Sequence, residues 1–305
     1  MEFFSSHANF DFVGKQKFFI SISITLVIFS LIAVFKPGLK FGIDFSGGTE
    51  VQIHFNQVIT SAEVRKILND AGFKDSSVQH LGSETTGEYL IRLEQTSGNL
   101  KTLSDEVANT FAKVKGQGTF EIKKIEMVGP KVGADLKRRG AWALIYSFLG
   151  ILIYVALRFD YRFSPGGVIA LMHDSIIPLG VFALLGKKFD LTILAAILTI
   201  IGYSINDTIV VFDRIRENMK MHPTMNIAAI VNKSINETMS RTILTSLTVV
   251  ISLLAIFFFG GEVIHDFSLA MLIGVVVGTY SSIFIASPIF LSLYYYSEKK
   301  LAKKS

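Results

Sequence analysis

Six long apolar runs, residues 18–35, 141–157, 166–186, 191–212, 242–259 and 267–296, set the rhythm of this chain. At about 1.5 Å per residue the first covers roughly 27 Å, close to a hydrocarbon thickness of about 30 Å, so runs of this length are read as membrane-crossing helices. Between the first two lies a polar stretch, 36–139, with a different period. Thr49 to Phe55 alternate as a half-buried strand does. Residues 61–71 read as a helix, with Thr60 as N-cap, Glu63 completing a capping box and Gly72 as the stop. Strands at 77–81 and 88–94, a helix at 100–114 and a strand at 119–128 complete the order βαββαβ, that of a ferredoxin-like sandwich. The predicted fold class is therefore a polytopic α-helical membrane protein, with six transmembrane helices and one α+β ferredoxin-like domain between helices 1 and 2.

Three smaller patterns refine this picture. In the stretch 213–241, Ile227, Ile230, Val231, Ile235 and Met239 recur at helical spacing opposite Asn232, Lys233 and Glu237. This reads either as an amphipathic helix on the cytoplasmic surface or as a plain connector. Pro288 is expected to kink or end the lipid-depth part of the last run. Gly274, Gly278 and Ser282 form a ridge of small residues that lets helix backbones approach closely.

Composition agrees with the pattern: 50% hydrophobic and 18% charged residues, with a mean hydropathy of +0.48, are too apolar for an ordinary soluble domain. A net charge of +5 would hint at nucleic acid in a soluble protein, but here the basic residues flank apolar runs. Lys15, Lys17, Arg158, Arg162, Arg214, Arg216, Lys220, Lys233, Arg241, Lys299, Lys300, Lys303 and Lys304 fall on one side, and only Lys187 and Lys188 lie in short loops opposite. The positive-inside rule then places both termini, 1–17 and 297–305, in the cytoplasm and the domain 36–139 on the other side of the membrane, with Lys137, Arg138 and Arg139 as a mild contrary signal. No nucleic-acid partner is expected. The first run follows Lys15 and Lys17 without a small-residue cleavage pattern, so it reads as a retained anchor. The lack of cysteine excludes disulfides and thiol chemistry. Residues 180–188 have the wrong glycine spacing for a phosphate loop, and no metal or hydrolase pattern is visible. No enzyme activity and no cofactor are therefore expected; an ion gradient is the energy source, at about 2.3 kcal/mol per proton for each 100 mV.

The candidate chemistry lies inside the apolar runs. A carboxylate there costs several kcal/mol, so Asp207 in the fourth run is read as a functional group facing protein or a wet cavity. Tyr203, Asn206, Asp207 and Val210 are placed on one helical face. Arg241 opens the fifth run, followed on its face by Thr245 and Thr248, and is the candidate partner of Asp207. Movement of that guanidinium would switch the acid between holding and releasing a proton; the alternative is a permanent ion pair that only fixes packing. In the third run, His173 and Asp174 stand one turn before Pro178. Asp174 either extends a polar path from the outer side or satisfies backbone groups loosened by the proline.

Three stretches carry a resemblance: Phe41-Gly42-Ile43-Asp44-Phe45-Ser46-Gly47-Gly48-Thr49-Glu50, Val128-Gly129-Pro130-Lys131-Val132-Gly133, and the run from Gly202 to Asn218, GYSINDTIVVFDRIREN. With Ser234 to Thr242 and the six-run layout, they resemble the SecF side of the SecD/SecF family, proton-driven membrane proteins of the resistance-nodulation-division type. The resemblance implies a six-helix half that pairs with a SecD half beside the SecYEG channel. That pair would draw preproteins outward with the proton-motive force after SecA has pushed them in, with YajC and YidC as further neighbours in the lipid bilayer. By the same resemblance Asp207 and Arg241 match the family's proton-relay acid and its arginine, with the remaining acid supplied by SecD; Asn206 and Asp174 join the candidate relay on their positions in the apolar runs. Gly42, Asp44, Gly47, Gly48, Gly129, Pro130 and Gly133 match its structural motifs; the glycines of the first are read as turn residues coupling the first span to the domain.

Overall fold

A computed structural model of the protein describes residues 10–57, 59–73, 76–81, 87–93, 100–116 and 118–302. The expected strand end at Glu94 and the chain ends 1–9 and 303–305, with Lys303 and Lys304, lie outside the described residues. The chain forms two compact units, Phe41–Ala141 and the sequence on either side of it.

After helix α1 (Gln16–Ala33), the first unit runs β1 (Gly48–Phe55), α2 (Ser61–Asp70), β2 (Ser77–Leu81), β3 (Glu88–Leu93), α3 (Leu100–Lys115) and β4 (Phe120–Val128). All pairings are antiparallel, in the order β2-β3-β1-β4, which is the ferredoxin-like arrangement expected. Alternation aims Val51, Ile53 and Phe55 of β1 and Tyr89, Ile91 and Leu93 of β3 at one face. There they pack with Val64, Ile67 and Leu68 of α2 and Leu103, Val107 and Phe111 of α3. Register places Val51 opposite Ile91 on one side and Ile125 on the other. The N-cap of α2 forms in half of its expected form. Thr60 Oγ1 accepts from the Glu63 N–H at 3.2 Å, while the Glu63 carboxylate takes Lys115 Nζ of α3 at 2.5 Å instead of returning to the cap.

The second unit is helical. After α4 (Pro130–Arg158), within which the boundary between the units falls, come α5 (Ser164–Leu184), α6 (Leu191–Met221), α7 (Ile227–Phe259), α8 (Glu262–Ser281), a π-helical turn (Ser282–Ala286) and α9 (Ser287–Ala302). Six segments among the described residues are long and apolar enough to cross a membrane: Gln16–Gly38, Pro130–Arg158, Ser164–Leu184, Leu191–Met221, Ile227–Phe259 and Ile264–Lys300. The third, fourth and sixth are the inner helices; the first, second and fifth bury few of their residues. The small-residue ridge does what its spacing predicts. A Cβ on Gly274 would run into the Ile200 side chain, and one on Gly278 would lie 3.0 Å from Ser204 Cβ, so α8 lies against α6 with no room for a side chain between.

One expectation is revised and another, that for Pro288, gains a local description. Residues 213–241 hold no separate surface helix: α6 continues to Met221 and α7 starts at Ile227. Ile227, Val231, Ile235 and Met239 are buried against Val211, Phe212 and Ile215 of α6, because a face that wide lowers its energy more by packing on protein than by lying at an interface. In the last span, the π-helical turn Ser282–Ala286 directly precedes Pro288. The missing N–H of a proline is absorbed there by a change of pitch, with Ser287 Oγ donating to the Ser282 carbonyl at 3.0 Å.

The segment ahead of α1 is strapped to α7. Asn236 Oδ1 accepts from the Phe10 N–H at 2.9 Å, and Asn232 Oδ1 accepts from Phe12 N–H at 2.8 Å and Val13 N–H at 3.2 Å. Both amides donate back to the Phe10 carbonyl, at 3.0 and 2.9 Å. The Phe12 ring meets Phe284 edge-on.

Candidate functional site

The inner helices bring together two buried acids, each among hydroxyls. Helix α6 starts at Asp190, whose side chain accepts from the Ile193 N–H at 2.9 Å, and its apolar run carries Asp207 deep into the bundle, where it is 3% exposed. Asp207 Oδ2 accepts from Ser246 Oγ of α7 at 3.4 Å. Ser246 Oγ lies 2.6 Å from Thr279 Oγ1 of α8 and accepts from the Tyr203 hydroxyl at 3.5 Å. The acid therefore sits where three helices meet, with a hydroxyl chain leading away from it.

Arg241 lies within electrostatic reach of Asp207 but makes no ion pair with it at 4.0 Å or less among the described residues. Its side chain is exposed. The expected juxtaposition is thus a neighbourhood and not a bond. Asn206 is a correction. It is exposed while Asp207 is buried, because consecutive helical residues point about 100° apart, and no hydrogen bond joins it to the acid. Tyr203 does share the Asp207 face, through Ser246.

Asp174 on α5 is better furnished than its sequence position implied. Its side chain is wholly buried. Oδ2 accepts from Ser204 Oγ of α6 at 2.5 Å and from Ser281 Oγ of α8 at 2.6 Å; Oδ1 is 2.8 Å from His173 Nδ1. Ser204, Ser246, Thr279 and Ser281 were not legible as site residues. A hydroxyl in an apolar run most often bonds its own helix four residues back, as Ser175 does with the Leu171 carbonyl, and only the third dimension separates the two uses.

The two glycine motifs meet inside the Phe41–Ala141 unit. Gly42 accepts from the N–H groups of Phe45 and Ser46, closing the turn Ile43–Ser46 in which Asp44 stands. The chain then leaves through Gly47 at φ +74 and Gly48 at φ +129. A Cβ on Gly47 would lie 3.0 Å from Pro130 Cα, and one on Gly133 3.0 Å from Gly47 N. Gly48 pairs with Val128. The start of α4 is thereby seated on the first motif by backbone contact, a closeness that side chains would prevent. Gly129 is different, since a Cβ there meets nothing within 4 Å.

Comparison with known proteins matches residues 106–296 to the family model "Protein export membrane protein SecD/SecF, C-terminal" and residues 32–57 to "SecD/SecF GG Motif". A protein translocase subunit SecF from Calditerrivibrio nitroreducens is 45% identical over 290 residues, 94% of this chain and 95% of its own length. That of Magnetococcus marinus is 43% identical over 308 residues, covering 100% and 98%. Among solved structures, SecDF of Thermus thermophilus, described as a translocon-associated membrane protein, superposes with a TM-score of 0.84 at 36% identity. The match covers 95% of this chain and 39% of that longer one. A second SecDF structure, in a super-membrane-facing form, gives 0.72 at 35% identity, covering 98% and 40%.

Proposed function

Because this chain belongs to the SecD/SecF family and is a multi-pass membrane protein, we propose that it is the SecF half of a proton-driven export subunit. Asp207 takes up and releases the proton, and Arg241 sets when it does so. The observation that carries this reading is an acid buried among hydroxyls with no cation bonded to it. A permanent ion pair that fixes packing would show the guanidinium in contact, whereas Arg241 stands near Asp207 with no ion pair to it among the described residues, in a position to approach or withdraw.

A second observation supports a missing half. On α6, Thr199, Gly202 and Asn206 are exposed in a stripe, and on α7 Arg241, Thr245, Thr248 and Ser252 form another. Lipid tails solvate such faces poorly, and polar groups at membrane depth belong against protein or water. In this proposal a SecD half covers both stripes, Asn206 faces it, and the pair works beside the SecYEG channel on preproteins delivered by SecA, with YajC and YidC as neighbours. The membrane is the bacterial inner membrane, with both chain ends in the cytoplasm. The energy is the proton gradient, with no cofactor and no covalent chemistry on the substrate.

The test is gradient-driven export in vesicles holding this chain with its SecD partner. Asp207→Asn is expected to lower the gradient-dependent part by about a hundredfold, the scale of a lost proton-transfer group, with assembly intact. Unchanged export in an assembled Asp207→Asn complex overturns the relay and leaves a scaffold subunit.

A further inference from the structure

The dressing of Asp174 is a carboxylate's: two hydroxyls and a ring nitrogen surround an acceptor-only group. Its own helix adds polarity, since Pro178 has no N–H to give the Asp174 carbonyl four residues back. His173 is 5% exposed, and while Nδ1 faces Asp174, Nε2 is buried with no hydrogen-bond partner. The ring lies over Tyr280, centroids 6.2 Å apart. An imidazole with one nitrogen held and the other bare is built to exchange a proton at the bare end.

We propose that Asp174 and His173 form a second proton-holding site, which ties α6 and α8 to α5 through Ser204 and Ser281 when the acid is charged and loosens both ties when it is protonated. This rests on the proton-relay reading of Asp207. The two ties end at consequential places. Ser204 stands one turn before Asp207 on α6, and Ser281 directly precedes the π-helical turn at which the last span changes pitch. Such turns concentrate at functional sites.

A hydrogen bond to an ionised acceptor is roughly twice as strong as a neutral one. A proton supplied by the gradient bonds to His173 Nε2 as the Nδ1–H bond breaks and an O–H bond forms on Asp174; the imidazole stays neutral, the pair goes from one negative charge to none, and both serine ties weaken in one event. The groups facing the pair are few. From α6 come Ser204 and, a turn away, Asp207; from α8, Tyr280 and Ser281. Helix α1 contributes Ser23, whose hydroxyl donates to the Tyr280 hydroxyl at 3.0 Å, and Ser30, packed at Gly180 of α5. No Lys or Arg lies within 4.0 Å of Asp174 among the described residues; its one ionic neighbour is His173. Proton movement is then the available means of neutralising it.

The experiment uses the chain with its SecD partner in vesicles, reading proton flux across a pH range, copurification, and amide hydrogen exchange at residues 281–287. Asp174→Asn keeps the size and mimics the protonated acid. It is expected to copurify normally, to lose about a hundredfold in flux and to exchange faster at the π-helical turn; His173→Gln is expected to move the pH midpoint of flux. Wild-type flux and exchange in Asp174→Asn overturn the proposal and leave a plain helix tie. Should Asp174→Asn fail to assemble, His173→Gln decides, and an unmoved midpoint overturns it. Asp207→Asn run in parallel separates the two readings: normal flux there removes the relay itself, whereas a block at Asp207 with normal flux at Asp174 removes this site alone.

Discussion

Single atoms decide the strictest requirements in this protein. Gly47 combines φ +74 with a Cβ position 3.0 Å from Pro130 Cα, so Gly47→Ala is expected to cost about 1–3 kcal/mol through backbone strain. Gly129→Ala, with open space around its Cβ, is expected to stay within about 0.5 kcal/mol, as unremarkable substitutions do. Thermal unfolding of the full chain in detergent, followed by proteolysis within residues 41–141, measures both; equal behaviour of the two variants would remove the backbone seat as the explanation. The sequence motif groups these glycines together, and the structure separates them by what each one touches. The same holds for Asn206 and Asp207, adjacent in the chain and opposite in surroundings. Polarity made Asp207 conspicuous from the sequence. Its serine and threonine partners stayed hidden because they come from helices whose mutual rotation no periodicity encodes.

Helices α6 and α7 show what an element contributes beyond its length. Asn218, wholly buried near the end of α6, donates to Ser234 Oγ at 2.9 Å and to Glu237 Oε2 at 2.7 Å, stitching the two helix ends together. Asn218→Ala is expected to destabilise the chain by about 0.5–1.5 kcal/mol, the net worth of a hydrogen bond, since Glu237 Oε2 keeps its second donor, Arg214 Nε at 2.6 Å; an unshifted unfolding midpoint would show that water replaces the amide without loss. The joint replacement Asn232→Ala with Asn236→Ala removes the five hydrogen bonds that these two amides make with Phe10, Phe12 and Val13. Amide exchange at residues 10–13 is expected to rise sharply while exchange in α7 stays put, and no change would mean that contacts other than these amides, the Phe12 packing among them, hold the strap. The long apolar runs and the alternating strands were readable because their periods, 3.6 and 2, are imposed by the element itself. Where α7 begins was not: a polar stretch that continues a helix and one that interrupts it share a composition, and only burial of Ile227 and Val231 against α6 tells them apart.

At the scale of the whole molecule, the exposed polar stripes on α6 and α7 are the faces that the proposed SecD half would cover. The absence of cysteine makes the test clean: Asn206→Cys is the sole thiol, expected to react with a maleimide when the chain is alone and to be protected when a SecD half is bound. Equal labelling in both states would place that partner elsewhere. The strap ahead of α1 carries one more consequence, which concerns time. The asparagine that holds the Phe10 N–H stands 226 positions after it in the chain. At about 5–20 residues per second the segment waits roughly ten to forty-five seconds on the ribosome before its clamp exists. Its closure therefore records that the fifth span has arrived, and a chain cut short before Asn232 leaves its N-terminal segment open to whatever proteases patrol the membrane surface.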